Sequence, residues 1–417
     1  MMKRIVLFVF LILLIVGVVI VDKKQQKNAG GVRKFVFWSI QLKPIYEKQM
    51  NNIISEFEKK YPKYKVIWVD IPIQEAQKRT LASILSSTPP DLINLNPEFS
   101  HVLAQKNALH FFKESEVLNF HKGLVDKLRY KNKVYGLPFY ATSSVTVYNK
   151  EILTNCIGDV QIKTYDDLFK NSEKLYSCSD IAPFSASLNE NDTLLKILNK
   201  YDVDDFSDSE KNETISLFNS FNQMYKKGYL PEDTLTINHR EMVEKYMSNQ
   251  ALMVVMGSNF IKMVKENAPD IYSKSEISEQ LVGSNKKYDV SLMNLVIPAR
   301  AQNKEMAYIF AQMLTSEKNQ LELAKLTNVL PSNIHALKNE YFKNCPNDIE
   351  QKSRCISAKQ LDNLIVNKTE IKDKKALNEN INRKFEEILL NINSDLETIK
   401  IGIDNLFPRL KLYIEQN

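Results

Sequence analysis

Apolar and polar positions in the first third of the chain follow a strand–helix rhythm. Residues 35–40, FVFWSI, form a short apolar run that predicts a buried strand. Over 44–60, Tyr46, Met50, Ile53, Ile54 and Phe57 recur at helical spacing until Tyr61 and Pro62 stop them, which predicts an amphipathic helix. A strand over 66–69, a helix over 75–85 and a strand over 91–95 continue the alternation. Such a sequence predicts a parallel sheet covered by helices. Ligands of these sheets sit beyond the carboxyl ends of the strands, here positions 39–42, 70–73 and 94–98.

Residues 130–150 change the rhythm. Val134 and 137–139 make one apolar run, and Val145, Val147 and Tyr148 make a second. Between them Tyr140, Thr142, Ser143 and Ser144 supply hydroxyls. The stretch predicts two strands joined by a polar mouth, which suits an uncharged polar ligand such as a sugar. It holds no nucleophile–base pair. From Thr164, an N-cap followed by Asp166 and Asp167, the chain becomes helix-rich. A helix begins at Ser207 or Ser209 and ends at Lys227, with Ile215, Phe218, Phe221 and Tyr225 on one face and Gly228 as its C-cap. Helical spacing returns over 241–247, 304–316, 320–326 and 374–417, and strands fit 252–256 and 291–297.

Composition narrows the function classes. With 44% hydrophobic and 25% charged residues in 417, the chain has ample core for two or three domains. Five basic residues and one acidic fall in the first 31 positions, leaving 51 basic against 49 acidic, so nucleic acid is not an expected partner. Lys3 and Arg4 precede an apolar run over 5–21, which reads as an export leader or an uncleaved membrane anchor. Residues 22–33, with Gly30 and Gly31, read as a tether. Cys156 with Cys178 and Cys345 with Cys355 fit two local disulfides in an oxidising compartment, the alternative being four separate buried thiols. The acidic run from Asp202 to Asp208 lacks the turn glycine of a calcium loop and reads as a loop leading into a helix. No HExxH, GxSxG, P-loop or GxGxxG motif occurs.

Several segments carry a family resemblance, in order along the chain. Residues 89–93 are PPDLI, 107–109 NAL, 133–139 KVYGLPF, 147–151 VYNKE, 225–233 YKKGYLPED, 249–258 NQALMVVMGS and 329–332 VLPS. Together they resemble the family 1 extracellular solute-binding proteins, the maltose-binding-like receptors of ABC importers. The resemblance covers residue 34 to the C-terminus. It implies an α/β fold of the two-lobe periplasmic-binding-protein type (type II), with a hinge and an interlobe cleft. It also implies a leader and tether at 1–31, a first lobe of 32–140 plus 289–331, and a second lobe of 141–288 plus 332–417. The chain would cross between lobes near Tyr140, near Tyr288 and Asp289, and between Leu330 and Ser332.

Matched to the family pattern, the first-lobe ligand candidates are Ser39, Gln41, Asn96 and Glu98. Hinge and second-lobe candidates are Tyr140, Thr142, Phe184, Ser258, Asn259 and Phe260, and the returning strand adds Ser291 and Asn294. Each also reads as a turn or capping residue. Asn259 stands where many relatives carry tryptophan, which leaves Phe260 as the stacking platform. Ser291 and Leu292 stand where relatives often carry a glycine pair, and Trp38 reads as core.

The expected function is an exported, non-enzymatic, monomeric receptor without cofactor or metal. It would bind an oligosaccharide or polyol and deliver it to permease subunits in the membrane. The alternatives are a glycerophosphate or peptide receptor, a membrane-tethered sensory protein and a cleft-bearing enzyme. A phosphate ligand should draw Lys or Arg into the cleft, where Lys43 is the only obvious basic residue among the first-lobe candidates. An enzyme would need a second carboxylate beside Glu98.

Overall fold

The computed structural model describes residues 31–414, apart from 191, 347, 367 and 368. The basic–apolar leader therefore lies outside the described residues, and among those described no helix is long and apolar enough to cross a membrane.

Among the described residues ten strands form: β1 Arg33–Ile40, β2 Tyr64–Ile71, β3 Leu92–Leu95, β4 Arg129–Tyr130, β5 Lys133–Val134, β6 Leu137–Asn149, β7 Met253–Gly257, β8 Ser275–Glu279, β9 Val290–Val296 and β10 Leu330–Pro331. β1 lies between β2 and β3 and runs parallel to both, the arrangement the early alternation predicts. The connecting helices, Lys43–Lys60 and Ile73–Ile84, fall within two residues of their expected limits. The sheet then continues through antiparallel neighbours in the order β10-β6-β9-β3-β1-β2.

The polar mouth is where sequence and structure differ most. One continuous strand, β6, replaces the two strands expected there. Its first half pairs with β9 and β10, and its second half pairs with β7 and β8. Thr142, Ser143 and Ser144 therefore lie on extended backbone where the strand changes partners. The register with β9 shifts between Pro138 and Tyr140, beside a proline that has no N–H to give to the ladder.

Buried side chains gather in two large clusters and two smaller ones. In the first, Phe310 meets Phe35, Phe37 and Phe57 edge-on at 5.0–5.5 Å between centroids, joining β1 to the helices Lys43–Lys60 and Lys304–Leu314. In the second, Phe385 packs on Phe218 and Phe221 at 4.9 and 5.8 Å. That cluster gathers the helices Tyr165–Ser179, Thr193–Asn199 and Lys211–Lys226 with the C-terminal pair Lys374–Leu390 and Leu396–Leu410. The tail is helical as expected but broken in two, because Asn391 turns the chain and Asp395 caps the second helix by accepting from the Thr398 N–H. Phe342 and Leu361 pack into the first cluster, whereas Ile349 joins a smaller one beneath β7 and β8.

Both cysteine pairs, Cys156–Cys178 and Cys345–Cys355, are bridged. In the acidic loop the Glu210 carboxyl accepts the backbone N–H groups of Asp204 and Phe206 at 3.2 and 2.7 Å, so a side chain fills the turn. Among the described residues no group of acidic, His or Cys side chains could hold a metal ion.

Candidate functional site

A cavity of about 310 Å³ opens where the middle of β6 and the start of β9 meet the Thr193–Asn199 helix. Three kinds of wall surround it. Hydroxyls come from Thr142, Ser143 and Ser144 on β6 and Ser291 on β9. Aromatic faces come from Tyr165, Phe184 and Phe260, with the His239 ring standing edge-on to Phe260 at 5.0 Å. Burial pushes the Tyr165 phenol up and the His239 imidazole down, so both are neutral donors or acceptors near pH 7. The third wall is charged.

That wall belongs to a chain of ion pairs. Glu98 meets Lys374 at 3.0 Å, and Lys374 meets Asp192 at 2.8 Å. Asp192 also takes Lys196 at 3.0 Å, one helical turn along. Asp289 then receives Lys196 and Lys127, each at 3.6 Å. Burial opposes ionisation of Asp192, but Lys196 and Lys374 outweigh it and hold the carboxyl at about 2. Burial likewise opposes the Lys196 charge, yet Asp289 and Asp192 keep its ammonium above the ordinary range. Glu98, Asp192, Asp289, Lys196 and Lys374 are each held in the charged form by their neighbours, against burial.

Of the sequence candidates, Thr142, Phe184, Asn259, Phe260 and Ser291 line this cavity. The remainder sit elsewhere. Ser39 is buried, donating to Asp70 at 2.5 Å and accepting from the Trp68 indole at 2.7 Å. Asp70 in turn accepts the Leu42 and Lys43 N–H groups, so this cluster caps the Lys43–Lys60 helix. Gln41 is exposed with φ +50° at the turn before that helix. Asn96 caps the Pro97–Gln105 helix by accepting from the Phe99 N–H, and Glu98 is held by Lys374. Tyr140 is half-buried against Phe139, and Ser258 is buried beside the cavity. Asn294 is fully buried and donates to Ser100 at 2.9 Å.

No residue of β1, β2 or β3 lines the cavity. Sequence reasoning missed Tyr165, Asp192, Lys196, Lys200, His239 and Asp289, all of which do. One signal was available. Leu194, Leu195, Ile197 and Leu198 are all buried, so a short helix apolar on every side carries Lys196 and Lys200 inward. Lysines in such a run need internal polar partners.

The sequence profile of the bacterial extracellular solute-binding proteins matches residues 52–348. The chain belongs to this family. No curated protein matches this solute-binding protein in sequence. Solved structures match its fold closely at low identity. A candidate oligosaccharide periplasmic-binding protein from Synechococcus sp. MITs9220 superposes with a TM-score of 0.76 at 20% identity, covering 91% of this chain and 99% of its own. The sugar-binding protein MalE from the phytopathogen Xanthomonas citri gives 0.74 at 15%, covering 91% and 97%. The GacH receptor of Streptomyces glaucescens GLA.O, solved unliganded and with acarbose, gives 0.68 at 18%, covering 91% and 98%. The solute-binding protein thus has the two-lobe α/β architecture of periplasmic binding proteins, and its cavity lies along the strand shared between two sets of sheet partners.

Proposed function

We propose that this solute-binding protein is an exported receptor that binds a carbohydrate in the β6 cavity, closes on it and hands it to the permease of an ABC importer. The carrying observation is the composition of that cavity. Strand-borne hydroxyls line it together with the rings of Phe260 and Tyr165, and sugars need both matched polar groups and flat apolar faces. Known sugar binders among the structural neighbours support the reading. A volume of about 310 Å³ stands at the small end of ligand sites, favouring short sugars over long chains.

We further propose a first lobe of 32–140 plus 289–331 and a second of 141–288 plus 332–417. The change of partners along β6 supports a hinge there, and no enzymatic step is assigned. Closure would then report the ligand's greater affinity for the closed state.

The test is a thermal-shift and calorimetric screen of mono-, di- and oligosaccharides beside glycerophosphates and short peptides. A ligand at 100 times its Kd should add about 2.7 kcal/mol of stability. Phe260→Ala is expected to weaken sugar binding about tenfold, the size of one lost aromatic contact, with little change in Tm. Unchanged affinity in that variant would move the ligand out of this cavity.

A further inference from the structure

Among the described residues, Lys127, Lys196 and Lys374 each reach a carboxylate within 4 Å around the cavity, and Lys200 reaches none. Lys200 lines the cavity although it is only 4% exposed. Its Nζ donates to two neutral oxygens, Gln280 Oε1 at 2.6 Å and the Leu281 carbonyl at 2.7 Å. An ammonium has a third proton to give.

The group is also fixed from several sides. Gln280 Oε1 accepts the Asp289 N–H at 3.2 Å, Gln280 Nε2 donates to the Asp289 carbonyl at 2.8 Å, and the Gln280 N–H donates to Gln360 at 3.0 Å. Gly283 lets the same segment press on the lysine backbone, since a Cβ there would lie 2.4 Å from the Lys200 carbonyl oxygen. A buried cation held rigidly by uncharged acceptors lacks the partner that buried charges ordinarily have.

The surrounding charges do not supply one. Asp289 is shared by Lys127 and Lys196, and Asp192 by Lys196 and Lys374. Glu98, Asp192 and Asp289 are thus matched by three lysines, and Lys196, one turn away, repels Lys200. Glu190, the neutral Tyr165 phenol and the neutral His239 complete the titratable lining. Burial lowers the Lys200 pKa to about 8, with Asp289 opposing the shift, so the ammonium is mostly charged at pH 7.

We propose that Lys200 seats an anionic group of the ligand, so that the preferred cargo is an acidic sugar bearing a carboxylate or a phosphate ester. The inference rests on reading the cavity as a sugar site. It also places in the cavity a basic residue of the kind a phosphate ligand requires, whereas Lys43, the basic residue the sequence offered, does not line it.

Calorimetry on the purified protein would compare glucose, glucuronate, galacturonate and glucose 6-phosphate, with the corresponding disaccharides where they exist. At pH 7 an acidic probe is expected to bind at least tenfold tighter than its neutral parent. That advantage should shrink as the pH rises from 7 to 9 and vanish in Lys200→Met, in which an acidic probe and its neutral parent are expected to bind equally. The pH titration of the unaltered protein tests the same point without a variant that must fold. Which acidic probe wins distinguishes carboxylate from phosphate. Binding of neutral sugars with no acidic preference, or a preference untouched by pH and by Lys200→Met, overturns the inference and leaves the sugar reading standing. Binding of no sugar of either kind overturns both.

Discussion

Replacing Cys156 and Cys178 by alanine is expected to lower the free energy of unfolding by about 3 kcal/mol. The bridge closes a loop of sequence separation 22, for which the entropy removed from the unfolded chain corresponds to roughly that amount. It ties the helix Lys150–Ile157, which follows directly on β6, to the helix Tyr165–Ser179. Leu153 and Ile157 on the first helix and Leu168 and Leu175 on the second enter one buried cluster, and Tyr165 opens the second helix at the cavity wall. The native packing is therefore extensive without the bridge, and the loss should appear in stability far more than in ligand affinity. Denaturant unfolding of the unaltered protein in reducing buffer should approach the variant, apart from the smaller share of the Cys345–Cys355 bridge, whose separation is 10. Coincident unfolding curves for variant and oxidised protein would reject the argument.

The parts of this molecule that obey a simple period were legible in the sequence. β1, β2 and β3 and their connecting helices alternate cleanly, because each helix has one face on the sheet and one in water. β6 was not legible as one strand. Its buried positions 145–147 lie within two sets of strand partners, so no outward polar residue marks the alternation there. β8 was missed for the opposite reason, since Ile277 is its only apolar residue.

The site divides in the same way. Thr142, Ser291 and Phe260 were chosen by position against the family pattern and line the cavity, Ser291 even though relatives often carry glycine there. Ser39, Asn96 and Asn294 were chosen in the same way, but their side chains serve caps and buried contacts that spacing cannot distinguish from ligand contacts. The charged wall was beyond a linear reading. Asp289, Lys196 and Lys374 are far apart in sequence and become one system only when the C-terminal helices pack on the Thr193–Asn199 helix. Glu98 shows both sides. It was singled out as a ligand residue, and its observed partner is Lys374, which joins the helix Pro97–Gln105 beside β9 to the helical cluster.

Lys196→Met is expected to destabilise the protein by about 2 kcal/mol at pH 7. Removing one member of a buried pair ordinarily costs about 3–5 kcal/mol. The value here is smaller because the Lys196 side chain is 37% exposed and because Asp192 and Asp289 keep Lys374 and Lys127 as partners. The pH dependence separates this charge effect from a packing effect. Asp192 is held at about 2, and Glu98 and Asp289 are also held below the ordinary carboxylate range, in each case against burial and by neighbouring lysines. Carboxyl groups whose pKa is depressed by folding contribute stability that is full above about pH 4 and lost as the pH falls through their folded values. The stability difference between the unaltered protein and Lys196→Met should therefore be widest near pH 7 and close as the pH approaches 2. It should also narrow with added salt, since the wall is only partly buried. Unfolding measured at pH 7, 4 and 2.5 reads the trend directly. A gap that stays constant across that range would mean that Lys196 acts by filling space against its apolar helix neighbours, and the ion-pair chain would lose its role in holding the two packed bodies at the cavity.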